Sequence, residues 1–408
     1  MVKPTSKRSE YTSLIALMLA ALTVRLLLFQ NQGYKNDMDL FVSWLRTAAD
    51  YGPGFFYNRV YCDYPPFNVY LFWVFGYVAK SLSLFETNLI TYIVKLIPSL
   101  FDIATTCLIF VFVRARSGFR LSLVTAAVYA FNPAIIFNSS IWGQFDSIYT
   151  FLILLSFVLV LSSKPSLSVA TFTLAVLTKP QSIALAPLLA FLVYKKYGLR
   201  RTLASTLIIA ATTLLVVLPI QWDNPITFLT NIYLNGYGTY PYTSVNAFNL
   251  WGIFGFWKPD TSAILFINLF MIGWGMFAVV TFLTLNLIDE KLKSSGDMLV
   301  LFAAFVLLFS FFMLPTRIHE RYNFPSLSFL ALMIPFLRKM RVIYAVLTVT
   351  LLTNLAYAMT LLNSNLPIPD GDPLAICMSL VNIVVFAYVM VLMRRGIKGS
   401  DPQIFAVN

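Results

Sequence analysis

The sequence predicts an all-α polytopic membrane protein, and three observations predict it. Of 408 residues, 59% are hydrophobic and only 11% are charged, less than half the roughly 25% of a soluble domain. Apolar runs of about 17–25 residues, each long enough to cross a bilayer as a helix, recur from end to end. Basic residues gather in short clusters between those runs, as positive-inside topology requires. The strand alternation of a membrane barrel is absent. The net charge of +12 sits in the inter-span clusters, so it marks topology and gives no reason to expect a nucleic-acid partner.

Spans are expected near 12–30, 89–113, 121–139, 147–163, 167–179, 183–194, 203–220, 261–287, 298–314, 324–337, 342–362 and 374–393. That is about twelve helices in one integral domain over 1–408, with both termini inside. The first carries Lys3, Lys7 and Arg8 ahead of its apolar run; no small-residue cleavage site follows, so it reads as an uncleaved helix. Arg114, Arg116 and Arg120, Lys195, Lys196, Arg200 and Arg201, and Arg338, Lys339 and Arg341 then mark inner loops. Parity makes the aromatic stretch 66–84 an interfacial or re-entrant helix, with Phe67, Tyr70, Phe72, Trp73 and Tyr77 at headgroup depth. Cys62, Cys107 and Cys377 have neither metal spacing nor a disulfide framework.

With basic residues alone setting the topology, the polar segments fall on one face: Asp37 and Asp39 in loop 30–88, Asp63-Tyr64-Pro65-Pro66, Trp142 to Asp146, Thr178 to Gln181, loop 221–260, and Thr316 to Asn323. Charges beside hydrocarbon are costly and usually mark a site. Asp37 and Asp39, two residues apart, do not share a helix face, which places at least one in the loop. One is a candidate general base toward a hydroxyl, or the two hold a divalent cation such as Mg or Mn; a solvated first helical turn accounts for them equally well. His319, the only histidine, stands among Arg317, Glu320 and Arg321, a set able to bind phosphate or to pair with itself as Arg317–Glu320 or Glu320–Arg321. Lys179 is a further cation or a snorkelling lysine. Trp142 offers a stacking face, and Gln144 and Asp146 offer hydrogen bonds to sugar hydroxyls; a capped helix turn at Asp146 is the plainer account. Lys95 and Asp102, seven residues apart in one span, read as a structural charge pair in the bundle interior.

These motifs resemble the C-type glycosyltransferase (GT-C) superfamily, multispan enzymes that use polyprenyl-phosphate sugars. Asp37, Asp39, Trp44 and Asp63-Tyr64-Pro65-Pro66 are similar to the first loop of the dolichyl-phosphate-glucose-dependent glucosyltransferases, and His319-Glu320-Arg321 to their late His-Glu-Lys motif. The acidic pair also resembles that of the GPI-anchor mannosyltransferase. The resemblance implies a GT-C-like bundle with interfacial helices in the first loop. It implies Asp37 as general base, Asp39 as a supporting carboxylate, and His319 with Arg321 at the lipid phosphate. Gln144-Phe145-Asp146-Ser147 stands where those glucosyltransferases carry a His-Phe-Gln-Tyr-Asn type segment, so the resemblance assigns neither the donor sugar nor a role for Asp146.

The expected function is transfer of a hexose, mannose or glucose, from a polyprenyl-phosphate carrier to a lipid-linked or glycan acceptor, by inversion. Asp37 and Asp39 are the catalytic candidates, His319, Arg321, Arg317 and Lys179 the phosphate-binding ones, and Gln144, Asp146, Trp142 and Tyr64 the sugar- or acceptor-binding ones. The expected location is the plasma membrane with the site extracytoplasmic, or alternatively the endoplasmic-reticulum membrane. The rival class is a lipid or small-molecule transporter or flippase, against which stand the lack of paired repeats and the position of the charges at one membrane edge.

Overall fold

The computed structural model describes residues 7–398, so Lys3 and the ends of the single-domain expectation lie outside the described residues. The order is α1 (Lys7–Leu28), α2 (Lys35–Tyr51), α3 (Phe67–Ser81), α4 (Ile90–Arg114), α5 (Phe119–Ala130), a short α6 (Pro133–Ile136) running into a π turn (Phe137–Trp142), α7 (Asp146–Leu161), α8 (Pro165–Val176), α9 (Ala186–Val217), α10 (Pro225–Gly238), α11 (Leu269–Met313), α12 (Phe324–Met333), α13 (Arg338–Asn363) and α14 (Pro373–Lys398). The described residues also form 3-10 turns at Pro53–Asn58, Leu84–Glu86, Pro180–Leu185 and Trp251–Phe254 and four two-residue strands: β1 (Ser244–Val245), β2 (Ala263–Ile264), β3 (Ile267–Asn268) and β4 (Ile318–His319). Parallel pairing of β1 with β4 ties loop 221–260 to the His319 segment.

The protein is a multi-pass helical membrane protein. Among the described residues, seven helices are long and apolar enough to cross a membrane, eight if the pair 119–130 and 133–142, bent by 44°, forms one span. The helices 146–161, 165–176 and 324–333 are about 24, 18 and 15 Å long at 1.5 Å per residue, short of a ~30 Å hydrocarbon core. The expected twelve apolar segments are thus nearly all helical, but they do not all have the length of a full crossing.

Four local expectations change. Residues 261–268 form a hairpin, β2 antiparallel to β3, and α11 starts at Leu269, where the Asn268 side chain accepts from Met271 N at 2.8 Å. The stretch 66–84 is a helix of 15 residues, too short to span. Its Trp73 and Tyr77 are exposed, while Phe72 is fully buried, so the aromatics divide between surface and core. Asp102 pairs with Arg25 of α1 at 3.4 Å, both fully buried, not with Lys95; the Lys95 ammonium instead donates to the carbonyls of Phe29 (3.2 Å) and Asn31. Asp37 and Asp39 both lie within α2, neither in a loop.

The basic loops meet at one end of the bundle. Arg114 binds Glu10 at 3.0 Å, Arg116 binds Asp297 at 2.5 Å, and Lys195 binds Asp289. Glycines break the long helices there: Gly198 (φ 79°) in α9 and Gly296 (φ 61°) in α11. Along α4 from Arg114 to Lys95 is about 28 Å of helix, close to a bilayer core, and beyond Lys95 the polar segments assemble.

Candidate functional site

Three docking events build the site. α2 buries Met38, Phe41, Trp44, Leu45 and Ala48, a stripe at helical spacing that turns Asp37 inward. Asp39, about 200° round the helix, is exposed. α3 crosses α2 so closely that a Cβ on Gly76 would lie 2.2 Å from the Leu45 carbonyl oxygen. At the start of α3, Phe67 N donates to Leu177 O (3.0 Å) and Asn68 Nδ2 donates to Thr178 O (2.7 Å), which fastens the Asp63–Pro66 segment to the loop carrying Lys179.

The Trp142–Asp146 segment is braced from beneath. The two oxygens of Asp102 accept from Ser139 and Ser147, each at 2.6 Å, the residues on either side of the break between the π turn and α7. Gly143 makes that break with φ 88°, a conformation disfavoured for L side chains, and a Cβ there would meet Met38 Cε at 2.5 Å. The result aims Trp142 Nε1 (2.8 Å) and Gln144 Nε2 (2.6 Å) at one oxygen, Oδ2, of Asp37.

A polar chamber of about 160 Å3 is lined by Asp37, Asp63, Tyr64, Gln144, Lys179 and Arg321, among others. Lys179 Nζ donates to Asp146 Oδ1 at 2.8 Å and lies 5.1 Å from the Tyr64 ring centre. Arg321 binds Glu320 at 2.6 Å, and its Nε stands 3.6 Å from Asp146 Oδ2. Next to it lies an apolar chamber of about 380 Å3, walled by Ile183, Tyr237, Phe270, Trp274 and Phe311. Gln181, Tyr240, His319 and Tyr322 line both.

The electrostatics follow from burial. Asp37 titrates above the usual carboxylate range because burial penalises its charge, an effect opposed by Arg321, the Trp142 and Gln144 hydrogen bonds and Lys179. Burial likewise raises Asp63 and Glu320. It pushes His319 well below its ordinary value, with Arg321 and Lys179 adding to the shift, so the imidazole is neutral at pH 7. Burial also lowers Lys179, against the pull of Asp146. Among the described residues, the carboxylates of Asp37, Asp63, Asp146 and Glu320 gather around two basic side chains, Lys179 and Arg321.

Of the residues singled out from sequence, Asp37, Tyr64, Gln144, Lys179, His319 and Arg321 line the polar chamber. Trp142 and Asp146 hold its walls. Asp39 and Arg317 do not line it. Arg317 is clamped to Asp260 at 2.8 Å, between the Tyr237 and Phe270 rings at 4.6 and 5.0 Å, on the apolar chamber; its expected partner Glu320 pairs with Arg321. With Asp37 inward and Asp39 outward, the two do not converge on a cation. Among the described residues, no group of three His, Cys, Asp or Glu side chains has metal-holding geometry. Asp63, Gln181, Tyr240 and Tyr322 join the site without having been picked as site residues. Asp63 carried a signal, since it opens the Tyr-Pro-Pro segment.

No protein-family model matches this chain, and no curated protein sequence matches it either.

Proposed function

We propose that this protein is a polyprenyl-phosphate-sugar-dependent hexosyltransferase, acting at the membrane face opposite its basic loops. One observation carries the reading: an apolar chamber shares the walls Gln181, Tyr240, His319 and Tyr322 with a small polar chamber that holds an unshared carboxylate oxygen and two cations. A ligand matching both has a hydrocarbon tail, an anionic junction and a compact polar head, the make-up of a polyprenyl-phosphate sugar. The prenyl chain lies along Phe270, Trp274 and Phe311, and the phosphate sits at Arg321 and the neutral His319, which donates one N–H. The hexose, mannose or glucose, occupies the polar chamber. The outward face of α3 rests at the membrane interface.

Among the described residues no protein donor reaches Asp37 Oδ1, which leaves it for the acceptor hydroxyl. Asp37 takes that proton as the acceptor oxygen bonds to the anomeric carbon from the side opposite the phosphate. The anomeric C–O bond breaks, its electron pair stays on the phosphate oxygen, and polyprenyl phosphate leaves with the configuration inverted. Arg321 meets the charge that develops on the leaving group. The raised affinity of Asp37 for protons suits a base, and its hydrogen bonds from Trp142 and Gln144 fix its orientation. Asp146 acts by holding Lys179 and Arg321 in place.

Incubating the reconstituted protein with labelled polyprenyl-phosphate mannose or glucose tests this. The expected result is released polyprenyl phosphate with label on an acceptor, or slow hydrolysis without one. Movement of intact donor between leaflets with no bond broken would establish a flippase and overturn the proposal.

A further inference from the structure

A separate cleft of about 280 Å3, sharing no lining residue with either chamber, is bounded by Tyr34, Asn246, Trp257, Leu362, Asn365 and Pro367. It lies beside the polar chamber. Tyr34 directly precedes α2, three residues before Asp37. Asn246 is bridged to the His319 backbone. The Trp257 ring contacts Tyr240 at 5.9 Å, and Tyr240 contacts His319 at 4.9 Å.

Two features mark the cleft as a ligand site. The first is backbone strain. Asn365 (φ 54°) is an ordinary left-handed residue following a helix end, but Trp257 (φ 57°) is a bulky residue in a region that such residues avoid, and Asn246 (φ 61°) accompanies it. Both are held from several sides: Trp257 N donates to Ser244 O at 3.0 Å, its Nε1 donates to Asn246 Oδ1 at 2.9 Å, and Asn354 Nδ2 donates to Asn246 O at 2.7 Å. Strain maintained in this way gathers at ligand clamps and active sites. The second is the chemistry of the lining. No charged side chain lines the cleft. Asn246 Nδ2 and the side-chain amide of Asn365 have no hydrogen-bond partner among the described residues, and the Tyr34 hydroxyl, which accepts from Asn36 at 2.8 Å, keeps its proton to donate.

Aromatic faces with free amides and a hydroxyl, and no charge, fit a neutral polyhydroxylated ring and fit a phosphate or a peptide terminus poorly. We propose that this cleft binds a neutral hexose unit of a glycan acceptor, next to the unit that receives the new sugar. The inference rests on the transferase reading and narrows it: the acceptor is a glycan rather than a bare lipid alcohol.

The test uses Trp257→Ala and Asn365→Gly in the full reconstituted chain, the glycine keeping the left-handed backbone if the tryptophan variant folds poorly. With labelled donor and α-mannotriose or maltotriose as acceptor probe, the acceptor KM rises about tenfold for Trp257→Ala, as loss of an aromatic face predicts. It rises about threefold for Asn365→Gly, and the ratio of transfer to donor hydrolysis falls in both. Saturation-transfer NMR of the same trisaccharides reads binding without turnover. Signals present in the wild type and weakened in both variants support the cleft even if the protein cleaves no donor, a result that would fell the transferase reading alone. Trisaccharide binding that is absent from the wild type, or acceptor KM within twofold of wild type in both folded variants, overturns the inference.

Discussion

Replacing Asp37 with asparagine separates the proton-accepting role of this side chain from its structural one. The amide is isosteric, and the environment accepts it: Trp142 Nε1 can still donate to the remaining oxygen. Gln144 Nε2 donates to that same oxygen, and the new nitrogen takes the place of Oδ1. Because burial raises the Asp37 carboxyl, the folded state binds its proton more tightly than the unfolded chain does. The ionised group therefore costs stability as pH rises through its folded value, and its removal leaves the melting temperature equal or slightly higher at pH 7. Turnover behaves otherwise. A general base contributes about 100- to 10,000-fold, or roughly 3–5 kcal/mol of barrier, so Asp37→Asn loses at least about two orders of magnitude. The assay is release of polyprenyl phosphate from labelled donor in liposomes, beside a thermal-shift measurement. Turnover within threefold of wild type in a normally folded variant would refute the assignment.

Asp39→Asn, on the outward face of α2, changes turnover less than about twofold in the same assay, the range of exposed substitutions. Gln144→Leu removes one of the two hydrogen bonds that lower Asp37 and so moves the acid limb of the kcat/KM profile to higher pH; a limb that stays or moves down contradicts the geometry. In the wild type that limb, where activity falls as Asp37 takes up its proton, lies above the usual carboxylate range, and an alkaline limb lies below the ordinary lysine value because burial lowers Lys179. Gly143→Ala forces a side chain into the left-handed region, costing about 1–2 kcal/mol by denaturant titration; turnover falls further than that loss explains, because Gln144 is displaced.

Helix existence was legible from apolar runs, and the shared location of the motifs from the basic clusters alone. What escaped the sequence has a physical cause in each case. Residues 261–268 continue the apolar run of α11, so nothing in hydropathy marks the hairpin. Asp102 finds Arg25 rather than Lys95 because α1 packs on α4, a tertiary choice that spacing within one helix cannot encode. Arg317 was expected to bind phosphate or to pair with Glu320, but Asp260, 57 positions earlier, reaches it through the strand pairing of loop 221–260. Spacing alone left Asp37 and Asp39 equivalent and only the resemblance ranked them; the buried stripe of α2, read through to Ala48, turns one inward and the other outward. The brace from Asp102 to Ser139 and Ser147 depends on a π turn, whose register no propensity announces.

The most direct test is a structure with a non-hydrolysable polyprenyl-phosphate hexose bound. The account predicts phosphate density within hydrogen-bond distance of Arg321 and His319, the prenyl chain against Phe270 and Trp274, and the anomeric carbon facing Asp37. Phosphate bound instead among Arg114, Arg116 and Lys195 at the far end of the bundle would contradict it.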